Sequence, residues 1–239
     1  MNIVDSFSFW DGEHPALAPG DSRYVVVPPS DFSPEWYGSV TAGGRVLGGL
    51  LPILDYTVAE VERHLQHPFW RGLVLARPRD TSSLHSPGVL EILIRFPHLP
   101  VVIDCGIAGF SRPEHLETFL KVCPPRPVIL THGGQLNISG GHLYAAAALF
   151  TSHPFTLLET SGIYRQDFLE QMVQELGPRR ILYGSGYPRM DERLEQERVA
   201  ILNLPLSEKA LIFGGNSQRI FGVPSPTPLQ EPSPALPSP

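Results

Sequence analysis

The chain has 239 residues, 42% of them hydrophobic, and a formal net charge of −6 at neutral pH. That is enough chain and apolar content for one α/β barrel or up to two ordinary domains. The acidic balance, with no Lys/Arg cluster, argues against a nucleic-acid partner. Its two cysteines, Cys105 and Cys123, make no disulfide framework, so a reducing cytoplasm is the expected location. The first residues lack the basic and apolar regions of a secretion signal. No uncharged apolar run reaches the roughly 20 residues of a membrane span, so no membrane association is expected.

Short β-rich runs recur along the chain: 3–9, 23–27, 45–54, 72–76, 101–105, 127–131, 155–160 and 180–183. Several, such as VVID and VILT, are nearly continuous apolar stretches. Strands of a parallel sheet are buried on both faces and read this way. Helical patterns lie between the later runs. Residues 58–66 follow Thr57 as an N-cap, and 87–96 carry Pro87 in the first turn. Residues 113–122 follow Ser111, with Glu114 three residues on, which predicts a capping box. Residues 164–176 end at Gly177-Pro178, a stop signal. Residues 192–202 and 207–213 close the series.

Strand runs alternating with helices predict a compact (β/α)8 barrel of the TIM type over residues 1–222. The first two crossovers look abbreviated and are rich in Gly and Pro. A doubly wound open sheet is the competing α/β architecture, but no G-x-G-x-x-G follows the first strand. Residues 223–239, with seven prolines, predict a disordered polyproline-like tail.

Three motifs carry a family resemblance. Val128-Ile129-Leu130-Thr131-His132-Gly133-Gly134 resembles the sixth-strand motif of the amidohydrolase-related, metal-dependent hydrolases. Ile181 to Pro188, ILYGSGYP, is similar to the eighth-strand motif of that family, which carries G-S-D-Y-P. Phe213 to Phe221, FGGNSQRIF, resembles the helix that ends the domain. Residues 69–75 and 101–106 resemble the fourth and fifth strands, and 3–9 occupy the place of the first-strand D-x-H-x-H. The resemblance spans nearly the whole chain before the tail. It implies a TIM barrel with one or two divalent metals that activate a water. The implied ligands are two first-strand histidines, one histidine each from the fifth and sixth strands, and an eighth-strand aspartate that moves the water's proton.

At those positions this chain has Phe7, Phe9, Asp104, His132 and Gly186. Only His132 keeps its ligand type. A catalytic zinc has about three protein ligands and an open position. His132 and Asp104 supply two at most. His132 is therefore a relic, a hydrogen-bonding pocket residue or a metal ligand. Asp104 points into the barrel in a period-2 strand, and an unpaired buried carboxylate is costly, so it pairs with His132 or Arg77. If that pair is catalytic, His132 is the general base and Asp104 orients it. Phe7 and Phe9 point the same way as Asp5 and either pack the core or line a ligand pocket.

Arg77, Arg79 and Arg189 follow strands four and eight, on the face where such barrels act. They either clamp a carboxylate or phosphate or are plain surface residues. Tyr187, in the eighth-strand motif, is a further ligand-binding candidate. Loop residues Asp11, Glu13, His14, Asp55, His142 and Asp191 are the available replacements for a rebuilt metal site. Cys105 neighbours Asp104, faces the helices and is a structural thiol.

Three functions are compatible with this pattern. The favoured one is a metal-free, non-hydrolytic barrel that binds a small ligand or a protein partner at the strands' carboxyl ends. The alternative is a working hydrolase or decarboxylase with one zinc or other divalent metal on His132, Asp104 and loop ligands. The third is a structural subunit in a homo- or hetero-oligomer. Fold alone does not choose among them.

Overall fold

The computed structural model describes residues 2–9, 21–26, 46–76, 84–136 and 140–222. The elements run in chain order. Strands β1 (Val4–Phe9), β2 (Ser22–Val26) and β3 (Val46–Pro52) come first, followed by α1 (Val58–Leu65) and β4 (Trp70–Leu75). Then α2 (Pro87–Arg95), β5 (Val101–Ile103), α3 (Pro113–Val122), β6 (Val128–Leu130) and α4 (Gly140–Ser152) alternate. Next come β7 (Thr156–Glu159), α5 (Gln166–Leu176), β8 (Ile181–Leu182), α6 (Glu192–Ala200), α7 (Leu206–Ala210) and α8 (Asn216–Phe221).

The eight strands form one sheet in the order β1 to β8, and every neighbouring pair is parallel. The segment after β8 returns to β1: Ser6 N donates to Tyr183 O at 3.0 Å and Gly186 N to Phe7 O at 2.9 Å. The result is a (β/α)8 barrel, as the alternation predicts. Inside it pack Val4, Phe7, Phe9, Tyr24, Leu50, Val74, Val102, Ile129, Leu157 and Leu182. A second apolar layer, including Leu73, Ile103, Leu130 and Leu158, lies between strands and helices. Phe221 of α8 plugs the end where the strands begin, its ring 4.4 Å from that of Tyr24.

Local signals mostly act as expected. Thr57 and Glu60 form a reciprocal capping box at α1. Gly177 ends α5 at φ 74°, which glycine adopts at no steric cost. Two expectations fail. Ser111 does not cap α3, because the N-cap is Arg112 and the Ser111 hydroxyl instead bonds Ile107 N and O at 3.1 and 3.3 Å. Helix α4 has no counterpart in the sequence reading. Its YAAAALF run is apolar on all sides and so lacks the 3.6-residue signature. No helix among the described residues is long and apolar enough to cross a membrane. The two early crossovers and the tail of 223–239 lie outside the described residues.

Candidate functional site

Acids, a histidine and an arginine converge where the strands end, the face on which such barrels place their chemistry. Asp104 directly follows β5, and Glu159 is the last residue of β7. His132 sits in a 3-10 turn (Thr131–Gly134) that follows β6, at φ 56° and ψ 28°. That left-handed conformation is costly for a residue with a Cβ, on the order of 1–3 kcal/mol, and is held here by its surroundings.

Those surroundings are a closed hydrogen-bond network. His132 Nδ1 lies 2.8 Å from Ser161 O and 3.0 Å from Ser161 Oγ. Glu159 accepts from Ser161 N at 2.7 Å, from Ser161 Oγ at 2.8 Å and from His132 N at 3.2 Å. A carbonyl only accepts, so Nδ1 carries a proton. Nε2 faces Asp104 Oδ1 at 3.4 Å. With acceptors at both nitrogens, the imidazolium fits better than the neutral ring. Burial pushes the His132 pKa down, but Asp104, Glu159 and the Ser161 carbonyl outweigh it and hold it above the ordinary value. Burial lifts the Glu159 carboxyl to about 7 against the opposing pull of His132 and Ser161.

The second partner of Asp104 is Arg189. Its Nη1 lies 3.0 Å from Asp104 Oδ2, and its guanidinium stands 3.9 Å above the Phe9 ring centre, a cation–π contact. The Asp104 side chain is 1% exposed and that of Arg189 39%. Phe9 meets Phe7 edge-on at 5.0 Å, and Phe7 meets His132 edge-on at 6.3 Å. The two phenylalanines thus form the floor beneath the polar groups.

A second polar cluster closes the barrel. Asp5 accepts from Ser185 N at 2.9 Å, Ser185 Oγ at 2.6 Å and Phe7 N at 3.1 Å. Burial raises its carboxyl to about 6, with Arg23 and the Ser185 bonds pulling the other way. Asp5 pairs in register with Arg23, and the β1–β2 register shifts between Asp5 and Ser8. That shift breaks the expected alternation. Val4, not Asp5, shares the interior with Phe7 and Phe9.

Glycine positions keep the site's shape. A Cβ at Gly184 would lie 2.0 Å from Glu159 Oε1, so the buried carboxylate needs glycine there. Gly186 has φ 61°, and a Cβ on it would meet Met190 Cγ at 3.1 Å and Ser161 Cβ at 3.2 Å.

His132, Asp104, Phe7, Phe9 and Arg189 therefore come together. Tyr187 lies beside them, with its ring under the Arg23 guanidinium at 5.6 Å. Arg77, Arg79, Asp11, Glu13 and His14 lie outside the described residues. Asp191 does not join the site, because it caps α6 and pairs with Arg193. Asp55 is exposed in the turn after β3. Cys105 belongs to the layer between strands and helices, and burial raises its thiol well above the usual range, as befits a structural residue. The sequence reading missed Glu159 and Ser161. Their signal was an acid at the end of an apolar strand, in the same period-2 phase as inward-facing Leu157.

The family profile described as Amidohydrolase matches residues 20–223. The chain belongs to the amidohydrolase family. Solved structures share its fold. The 5-carboxyvanillate decarboxylase LigW of Sphingomonas paucimobilis is 16% identical, with 85% of this chain and 79% of that one covered, at a TM-score of 0.62. A dihydroxybenzoic acid decarboxylase of Polaromonas sp. JS666, with bound manganese and 2-nitroresorcinol, is 14% identical, covering 93% and 97%, at a TM-score of 0.65. An amidohydrolase of Burkholderia multivorans is 12% identical, covering 85% and 84%, at a TM-score of 0.65. No curated protein matches the chain.

The amidohydrolase ligand positions here offer donors only at Asp104 and His132. Asp104 Oδ2 holds Arg189, while Oδ1 has no hydrogen-bond partner and faces His132 Nε2 at 3.4 Å; His132 Nδ1 is bonded to Ser161 O. Among the described residues no three His, Cys, Asp or Glu side chains gather as a metal-holding group. Among the described residues these two donors fall short of the three protein ligands that hold a catalytic zinc.

Proposed function

We propose that this amidohydrolase-family barrel is metal-free and non-hydrolytic, and binds a small carboxylate-bearing ligand where its strands end. One observation carries the reading: the Arg189 guanidinium spans Phe9 and Asp104. The family resemblance puts metal-ligand histidines at both of those positions. A fixed positive side chain therefore neutralises the buried Asp104, a task a metal would otherwise perform. The surroundings of His132 support the same reading. Asp104, Glu159 and the Ser161 carbonyl favour the protonated ring, a form with no lone pair to take a proton from water.

Arg189 supplies the binding chemistry. It uses Nη1 on Asp104, and its partial exposure leaves other N–H groups open to the mouth. A guanidinium fork suits a carboxylate, and the Phe9 ring holds the fork in place. Two structural neighbours are named for aromatic carboxylates, 5-carboxyvanillate and dihydroxybenzoic acid. That class is the first to try.

The test incubates the protein with 2,6-dihydroxybenzoate, with and without manganese, and measures binding by calorimetry and release of resorcinol by chromatography. The expected result is saturable binding without resorcinol, weakened at least tenfold by Arg189→Ala. Manganese-dependent resorcinol formation, or binding indifferent to Arg189→Ala, would overturn the proposal.

A further inference from the structure

A second recess lies at the opposite end of the barrel, where strands β6, β7 and β8 begin. It encloses about 440 Å³ between the segments leading into those strands and α8. Arg126, Arg179, Arg180 and Arg219 line it, together with apolar side chains that include Phe155 and Ile220. Among the described residues no Asp or Glu lines it. The chain carries net negative charge with only 18 Lys and Arg in all, so four arginines around one recess is a concentration of like charge.

Arg126, Arg180 and Arg219 are held by hydrogen bonds, and none of the four arginines pairs with an acid among the described residues. Arg126 donates to Pro124 O at 3.2 Å, to Phe96 O at 3.1 Å and to Leu93 O. Arg180 donates to Thr156 O at 3.0 and 2.8 Å, Phe150 O at 2.7 Å and His153 O at 3.1 Å. Backbone carbonyls fix these two guanidiniums without neutralising them. Burial lowers both below the usual arginine range, the mark of a cation losing water without gaining a counter-ion. Both remain charged. At the rim, Arg219 Nη2 bonds Arg179 O at 2.8 Å and Asn216 Oδ1 at 3.3 Å, and the Arg179 and Arg219 residues are exposed.

Like charges so arranged repel one another, and no acid among the described residues lies there to relieve them. An anion would. We propose that this recess binds a small organic anion, a phosphate ester or carboxylate on an apolar body. The guanidiniums would take the charged head and the Phe155 and Ile220 surfaces the body. Its volume falls within the roughly 300–1,000 Å³ of small-ligand sites, and fixed arginines beside apolar walls are what such a ligand requires. The site is separate from the mouth, and Asp104, His132 and Arg189 do not line it.

Methyl NMR of the full chain, following Ile220, tests the proposal. The probes are phenyl phosphate and benzoate, with inorganic phosphate and phenol as the head and the body alone. The Ile220 methyl should shift saturably with phenyl phosphate, benzoate or both, and at least tenfold more weakly with either fragment. The doubly substituted Arg179→Ala/Arg219→Ala chain should lose at least tenfold in affinity, while Arg189→Ala should change nothing at Ile220. Arg179→Glu breaks no hydrogen bond at the exposed rim and should weaken binding as well, which keeps the test readable if the double variant is unstable. No Ile220 shift with either probe, a shift unchanged in both rim variants, or one abolished by Arg189→Ala would overturn the proposal.

Discussion

Arg189 Nη1 sits 3.0 Å from Asp104 Oδ2, while the same guanidinium lies 3.9 Å over the ring of Phe9. Neither contact is a surface ornament, because Asp104 and Phe9 are each 1% exposed. Removing the arginine would leave a buried carboxylate with only His132 nearby. Arg189→Ala should therefore cost about 1–3 kcal/mol by urea unfolding, below the roughly 3–5 of a fully buried pair because Arg189 itself is partly exposed. Adding Asp104→Asn should return part of that loss. Additive effects would show that the pair is not coupled.

Gly186 stands where the family resemblance puts an aspartate, and its backbone opposes restoring one. Gly186→Asp would place a side chain at φ 61° against Met190 and Ser161. The expected outcome is destabilisation of about 1–3 kcal/mol, read as a lowered Tm, with no gain in metal binding. A Gly186→Asp protein that manganese stabilises would show that the site still accepts metal.

Asp5 makes stability depend on pH. Its carboxyl, ordinarily near 3.8, is raised to about 6 in the folded chain, so the folded state holds this proton more tightly than the unfolded one. Between those two values the folded state binds more protons, and stability falls as pH rises. The loss is complete above about pH 6, at about 1.4 kcal/mol per pKa unit, and thus on the order of a few kcal/mol. Denaturation midpoints should decline from pH 4 to pH 7 by more in the wild type than in Asp5→Asn. Equal slopes would refute the assignment.

Glu159 bears on His132 through charge. Replacing it by glutamine removes a negative neighbour of the imidazole while keeping the side chain's size. His132 should then titrate lower in Glu159→Gln than in the wild type, when its ring protons are followed by NMR. An unchanged titration would mean that Asp104 and the Ser161 carbonyl alone set the charge.

The barrel was legible because its strands are short apolar runs at even spacing, and that pattern survives without knowledge of contacts. Helix α4 was not, since an all-apolar helix has no period to read. The site was half legible. Asp104 and His132 end recognisable strands, and Phe7 and Phe9 could be placed from the first-strand motif. Arg189 reads in the sequence as a carboxylate or phosphate clamp or a surface residue, but choosing Asp104 as its partner takes three-dimensional proximity across 85 residues. Glu159 could have been found by continuing the alternation of TLLE from Leu157. The phase of Asp5 could not, since a register shift leaves no mark in the sequence.

The central claim is that an arginine, not a metal, meets Asp104. Metal analysis of the purified protein, beside His132→Ala, tests this most directly. The account predicts far less than one equivalent of any transition metal in both proteins. One full equivalent of zinc or manganese in the wild type, lost in His132→Ala, would contradict it.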